Sequence, residues 1–339
     1  MSPETKRPII VVTGFLGSGK TTLLRHVLAQ QPAHGTAVLV NEFGEVGLDH
    51  HLVRQLDERT ILLNNGCVCC SVRDDLVQAL SSLLDQEQRG AGPHIDRLIV
   101  ETTGLADPAP ILFTIATDPM LRHHFRVDRV VVTVDAMNGA RHLDRHAVSL
   151  KQVAAADDII VTKTDLAPPE TVSVLMARLH ALNPTAQLTT AILGEVEPAR
   201  ILAPRHRDVS AGQQAAVTKA APDDQHVGET RSVALTFEQP LDWVAFSVWL
   251  SMLLYAHGEE VLRVKGLLNV GDAGPVVLNG VQHIMHIPEH LPQWPDADRR
   301  SHLIFIVQGL EPQQIVQSLQ AFQHLLELGG GMSCVDSPD

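Results

Sequence analysis

The chain has 339 residues, 45% hydrophobic and 19% charged, a balance ordinary for a soluble globular protein and long enough for two cores of about 100–200 residues each. A formal charge of -13 argues against nucleic acid as the main partner, because phosphate contacts need Lys and Arg. The longest apolar run, WVAFSVWLSMLLYA (243–256), has the length of a buried helix and not of a membrane span, and the polar Met1–Pro8 segment is no signal sequence.

Strands are expected at IIVVT (9–13), TAVLV (36–40), RLIVE (97–101), RVVVTVD (129–135) and DIIVTKTD (158–165). Each is a near-continuous apolar run, as in a parallel sheet covered on both faces. Between them, Leu76, Val77, Leu80, Leu83 and Leu84 form one apolar stripe of a helix, with Ser71 and Asp74 at capping-box spacing before it. This alternation predicts a doubly wound, mainly parallel α/β domain over residues 1–205. The polar, Ala-rich segment near 204–229 reads as a linker (206–229). Beyond it, consecutive strand patterns at 231–237, 261–270, 275–287 and 302–310 join two helical stretches, one from about Asp242 and one over about 312–328. They predict a smaller α+β domain with an antiparallel sheet (230–330), one face of which is expected to be exposed. The tail 331–339 is expected to fray.

Directly after the first expected strand, GFLGSGKTT fits the phosphate-binding pattern G-x-x-x-x-G-K-[ST] with Gly14, Gly19, Lys20 and Thr21. Glycines let the backbone curl so that successive N–H groups face phosphate oxygens, Lys20 brings a charge to the β and γ positions, and Thr21 supplies a hydroxyl for Mg²⁺. Gly17, Ser18 and Thr22 complete the expected nucleotide contacts, and the following helix adds its positive dipole end. In VETTG, Glu101 stands at a strand end where a carboxylate organises Mg²⁺, and Gly104 lies in a turn able to meet a γ-phosphate. Lys20, Thr21 and Glu101 are therefore the expected catalytic residues. TKTD (162–165) is like the guanine-reading N-K-x-D signature, with Asp165 accepting from guanine N1 and N2 and the stem of Lys163 covering the base. Thr162 stands where Asn is usual. GTP is favoured over ATP on this ground.

NNGCVCCSVRDDL (64–76) holds three of the four cysteines. Cys67, Cys69 and Cys70 precede a helix N-terminus, where a thiolate is stabilised. A soft-metal site, a redox pair from Cys67 and Cys70, and plain burial all remain open on spacing alone. A cytoplasmic compartment, expected in the absence of a targeting signal, makes a structural disulfide the least favoured use.

Taken together, GFLGSGKTT, NEFGE (41–45), GCVCC (66–70), ETTG (101–104), TKTD (162–165) and RVKG (263–266) occur in the order found in CobW-type GTPases, and the chain resembles that family over nearly its whole length. The resemblance implies a P-loop metallochaperone that binds Zn²⁺, or a similar divalent ion such as Co²⁺, through Cys67, Cys69 and Cys70, with Glu45 as candidate fourth ligand. It further implies GTP hydrolysis that drives metal transfer to a client metalloprotein. The switch segments would be NEFGEVGLD (41–49), with Asp49 as a candidate Mg²⁺ or switch residue, and the cysteine loop. Between the domains only DDQH (223–226) stands where many relatives carry a His-rich tract. Competing readings are a regulatory or assembly GTPase without metal cargo, a cobalamin-related cobalt chaperone, a thiol redox switch, and an ATP-dependent kinase.

Overall fold

In the computed structural model, which describes residues 6–30, 35–42, 60–64, 71–92, 94–203, 230–271 and 274–329, the chain divides into two units, Met1–Gly228 and Glu229–Asp339. The expected linker and tail lie outside the described residues.

The β-branched runs of the first unit form seven strands: β1 (Arg7–Gly14), β2 (Thr36–Glu42), β3 (Thr60–Asn64), β4 (Arg97–Glu101), β5 (Phe125–Asp135), β6 (Asp158–Thr162) and β7 (Gln187–Ala191). Their order is β3-β2-β4-β1-β5-β6-β7, and every pairing is parallel. Ile9, Ile10, Val11 and Val12 of the central strand are at most 1% exposed, which is why that stretch reads as a continuous apolar run: both faces of the strand are covered. On one face, Leu23, Leu24 and Val27 of helix Lys20–Gln30 and Ile201 of helix Pro198–Leu202 pack on Ile10, Val12, Ile99 and Val131. On the other, Val132 and Val134, which alternate with Val131, meet Leu143 and Val153 of helices Gly139–Arg145 and Ala147–Ala155. The stripe Leu76, Leu80, Leu83 and Leu84 of helix Ser71–Gln88 is buried as its spacing predicts. Arg97 and the buried Arg129 donate to the last carbonyls of helix Pro198–Leu202, at Leu202, Arg200 and Ala203, and so hold its C-terminal end.

Two strands were not foreseen. β3 and β7 are five residues each at the two edges of the sheet, and β7 mixes Thr189 and Thr190 into a half-exposed pattern. The expected strand 158–165 ends at Thr162, because Lys163 turns into the left-handed region at φ 57°.

In the second unit, β8 (Thr230–Phe237), β9 (Val261–Leu268), β10 (Val276–Val281), β11 (Ile284–Met285) and β13 (Ser301–Gln308) make an antiparallel sheet ordered β11-β10-β9-β13-β8, with β12 (Glu289–His290) paired to β10. The stretch 275–287 is thus a hairpin, turning at Gln282 with φ 51°. Asp242 accepts from the backbone N–H groups of Val244 and Ala245, which starts helix Trp243–His257. Phe246, Trp249 and Leu253 pack with Phe305, Val307 and Ile315 of β13 and helix Pro312–Gly329. Trp249 Nε1 donates to Ser318 Oγ at 3.1 Å.

Only one side of the apolar helix is core. Val244, Val248, Met252 and Tyr255 line its other side, with Tyr255 95% exposed. The expectation of an exposed sheet face needs correction too. Edge strand β8 shows Ser232, Ala234 and Thr236, but Leu262, Leu267, Ile304 and Ile306 are buried. No described helix is long and apolar enough to cross a membrane.

Candidate functional site

β1 lies at the centre of its sheet, and after it the chain builds outward on both sides, so the crevice at the carboxyl ends of β1, β4 and β5 is the place where open α/β sheets bind ligands. The loop Gly14–Gly19 emerges there. Gly14 has φ 137°, and a Cβ on it would lie 2.4 Å from the Thr133 carbonyl oxygen, so no other residue fits. Gly17 and Gly19 follow at φ 68° and 93°, giving the curled backbone that the motif predicts. Lys20 opens the helix and its Nζ donates to the carbonyls of Gly14 and Phe15 at 2.9 and 3.2 Å, which draws the ammonium across the loop.

Below the loop, buried hydroxyls fix its footing. Ser18 Oγ and Thr133 Oγ1 are 2.6 Å apart, Thr102 Oγ1 donates to Thr13 Oγ1 at 2.7 Å, and Thr162 Oγ1 donates to the Ser18 carbonyl at 2.7 Å. Thr162, the departure from the usual Asn, therefore braces the phosphate loop. Above, the ring of Phe15 lies against His142 and His146, with centroids at 4.4 and 4.5 Å. Burial, ahead of smaller repulsion from His146 and Arg141, holds His142 below its ordinary value although Asp135 pulls the other way.

Thr21 and Glu101, 80 residues apart in sequence, are brought together: Thr21 Oγ1 donates to Glu101 Oε1 at 2.7 Å, and Glu101 is 4% exposed. Gly104 sits in the turn after β4, where a Cβ would fall 2.6 Å from Leu16 N; the turn and the phosphate loop touch backbone to backbone. Gln152, 1% exposed, donates from beneath to the carbonyls of Gly104 and Ala106.

At the far side of the loop, Asp165 is exposed in the turn after β6. Lys163 Nζ donates to Asp135 Oδ2 at 2.6 Å. Burial opposes ionisation of Asp135, but hydrogen bonds from Lys163, the Met137 amide and Asn138 outweigh it and hold the carboxyl below its ordinary value. Gly194, in the loop after β7, approaches Thr22 so closely that a Cβ would lie 2.8 Å from the Thr22 carbonyl oxygen. Gly14, Gly17, Ser18, Gly19, Lys20, Thr21, Thr22, Glu101 and Gly104 thus come together in one region, flanked by Lys163 and Asp165. Asp135 and Gln152 were missed, since no local spacing marks a residue that acts on a partner 28 or 48 positions away.

Glu45, Asp49, Cys67, Cys69 and Cys70 lie outside the described residues. The segments that carry them follow Glu42 and Asn64, which are paired in the β2–β3 register. Among the described residues, no three His, Cys, Asp or Glu side chains are placed to hold a metal ion.

The family model of the CobW/HypB/UreG nucleotide-binding domain matches residues 8–190, and that of the cobalamin synthesis protein CobW C-terminal domain matches residues 230–323. The chain belongs to the CobW/HypB/UreG family. Within it, the chain is 32% identical to the zinc chaperone YjiA of Escherichia coli over 91% of its own length and 96% of that protein. It is 29% identical to zinc-regulated GTPase metalloprotein activator 1 of Schizosaccharomyces pombe, over 83% of this chain and 76% of that one. Among solved structures, Zn(II)-bound YjiA GTPase aligns with a TM-score of 0.72 at 28% identity, over 94% of this chain and 99% of that one. A Zn(II)-bound triple mutant of the same GTPase, with one glutamate and two cysteines replaced by alanine, aligns at 0.71.

Proposed function

We propose that the protein is a GTP-hydrolysing metallochaperone that binds zinc, or a similar divalent ion, at Cys67, Cys69 and Cys70 with Glu45 as fourth ligand, and passes it to client metalloproteins in the cytoplasm. The observation that carries this reading is the assembled nucleotide site, with Lys20, Thr21 and Glu101 at the loop and the Lys163–Asp165 turn beside it. The cysteine and NEFGE segments follow paired positions of the same sheet's carboxyl edge.

The site's own residues divide the work. Backbone N–H groups of the loop and the helix N-terminus bind phosphate oxygens, Lys20 neutralises the β and γ positions, and Gly104 senses the γ-phosphate. Asp165 reads the guanine edge. Thr21 and Glu101 form the hard-oxygen pair that Mg²⁺ takes, and that ion when bound supplies charge neutralisation at the phosphates. Three thiolates hold zinc tightly, so release is the difficult step; each tenfold weakening needs about 1.4 kcal/mol of differential binding between nucleotide states.

The test is titration of Zn²⁺ into protein loaded with a non-hydrolysable GTP analogue or with GDP, with ATP as competitor. Different zinc affinities in the two states are expected; equal ones remove the coupling. Because the triple mutant of YjiA is still Zn(II)-bound, total zinc is a poor readout of the cysteines. Co²⁺ substitution reports them directly: thiolate charge-transfer absorption is expected for the wild type and lost in the Cys67→Ser/Cys69→Ser/Cys70→Ser variant. Its survival there would refute the ligand assignment.

A further inference from the structure

The Lys163–Asp135 pair has a feature that phosphate binding does not use. Lys163 holds a left-handed backbone at φ 57°, a conformation that residues with a Cβ avoid. Its ammonium is tied at 2.6 Å to a carboxylate whose side chain is 3% exposed, while the lysine side chain itself is 36% exposed. That carboxylate is fixed in its own right. Asp135 Oδ1 accepts from the backbone N–H of Met137 at 2.7 Å and of Asn138 at 3.3 Å, and Oδ2 from Asn138 Nδ2 at 3.3 Å. The two residues belong to neighbouring strand ends, since Asp135 pairs with Thr162 in the β5–β6 register and Ala136 N donates to Thr162 O at 2.9 Å.

A lysine anchored at both ends, by backbone and by ammonium, has its methylene stem laid out before a ligand arrives. The rotamer freedom that a free lysine would lose on covering a ring is already spent. We propose that Asp135 is a positioning residue for the nucleotide base: it holds the Lys163 stem as a flat apolar cover for the purine face, while the exposed Asp165 reads the edge. This rests on the guanine reading of the site. Covering a face and reading an edge have different consequences. The cover acts on every purine alike, whereas Asp165 distinguishes guanine from hypoxanthine, which lacks the exocyclic amine.

The experiment uses full-length protein and fluorescent GDP, IDP and ADP, with wild type, Asp135→Asn, Lys163→Met and the double variant. Asn retains an acceptor for the Met137 and Asn138 amides but lacks the charge. Asp135→Asn is expected to weaken GDP and IDP by the same factor, about tenfold, in the range of one charge-assisted hydrogen bond. The GDP-to-IDP ratio stays at its wild-type value, the double variant is no weaker than Lys163→Met alone, and KM for GTP rises while kcat holds. Wild-type affinity in Asp135→Asn, loss for GDP but not for IDP, or additive losses in the double variant would each overturn the inference. If circular dichroism shows Asp135→Asn unfolded, Lys163→Met decides, since wild-type GDP affinity in it leaves Asp135 nothing to position. A wild type that binds ADP as tightly as GDP overturns the guanine reading and this inference with it. A guanine-selective wild type with an unaffected Asp135→Asn overturns the inference alone.

Discussion

Replacing Gly104 by Ala adds one methyl group where the turn after β4 meets the phosphate loop. The new Cβ would stand 2.6 Å from Leu16 N and 2.8 Å from Leu16 Cα, against 3.4 Å for ordinary contact, and is therefore about 0.8 Å too close (3.4 minus 2.6). Leu16 Cδ2, also at 2.8 Å, can rotate away, but Leu16 N and Cα are backbone and cannot. The loop is held by the Ser18–Thr133 and Thr162–Ser18 hydrogen bonds, and the turn by Gln152 at the Gly104 and Ala106 carbonyls. One of them must move by nearly 1 Å. Overpacking of this kind costs about 1–3 kcal/mol of stability, and a misplacement of about 1 Å near reacting groups costs about 100-fold in rate. Single-turnover GTP hydrolysis at saturating nucleotide should therefore fall about 100-fold, with GDP affinity nearly retained because GDP lacks the phosphoryl group that Gly104 is proposed to meet. A folded Gly104→Ala variant that hydrolyses GTP at the wild-type rate would refute the reasoning.

Thr162→Val keeps the side chain's shape but deprives the buried Ser18 carbonyl of its donor; urea unfolding of the first unit should show a loss of about 1–3 kcal/mol, and an unchanged midpoint would count against the brace. Trp249→Ala should cost the second unit about 3–5 kcal/mol by emptying its core, against about 1 kcal/mol for Ser318→Ala, which removes only the indole's acceptor. Stability should also fall with acid near neutrality. His142 and His124 are held below their ordinary 6.5, chiefly by burial, so the unfolded chain takes up their protons first. The loss begins as pH drops through about 6.5 and is complete below the lower folded values. Thermal melts across pH 5 to 8 test this, and His142→Gln should flatten the profile; a His142→Gln profile as steep as the wild type's would refute the assignment to His142.

Much of the nucleotide site was legible because its chemistry is local. The phosphate loop must be contiguous, so GFLGSGKTT shows it whole; Glu101 ends β4, and Asp165 lies in the turn just after β6, both strands being delimited by apolar runs. Residues that work at a distance were not legible. Gln152 reaches Gly104 from a helix 48 positions away, and Asp135 reads as the last residue of a strand. β3 and β7 escaped because short edge strands need no long apolar run: TILLN offers three apolar residues between polar flanks, and QLTTA alternates too weakly to stand out. Thr162 looked like a weakened motif because the motif records the base and not the loop that the residue also touches. For helix Trp243–His257 the sequence is apolar all round, and only packing reveals that Trp249 faces inward and Tyr255 outward.

The foundation of the nucleotide cradle consists of uncharged groups. Thr13, Ser18, Thr102, Thr133 and Thr162, all at most 3% exposed, tie the phosphate loop and the turn after β4 to β1, β5 and β6 through hydroxyls and backbone carbonyls. Dissolved ions screen charges and acid titrates them, but neither acts on such a scaffold. Brine should therefore loosen the grip on a triphosphate by screening Lys20 and the ligand's own charge, and mild acid by neutralising the ligand alone, leaving the hydroxyl footing intact.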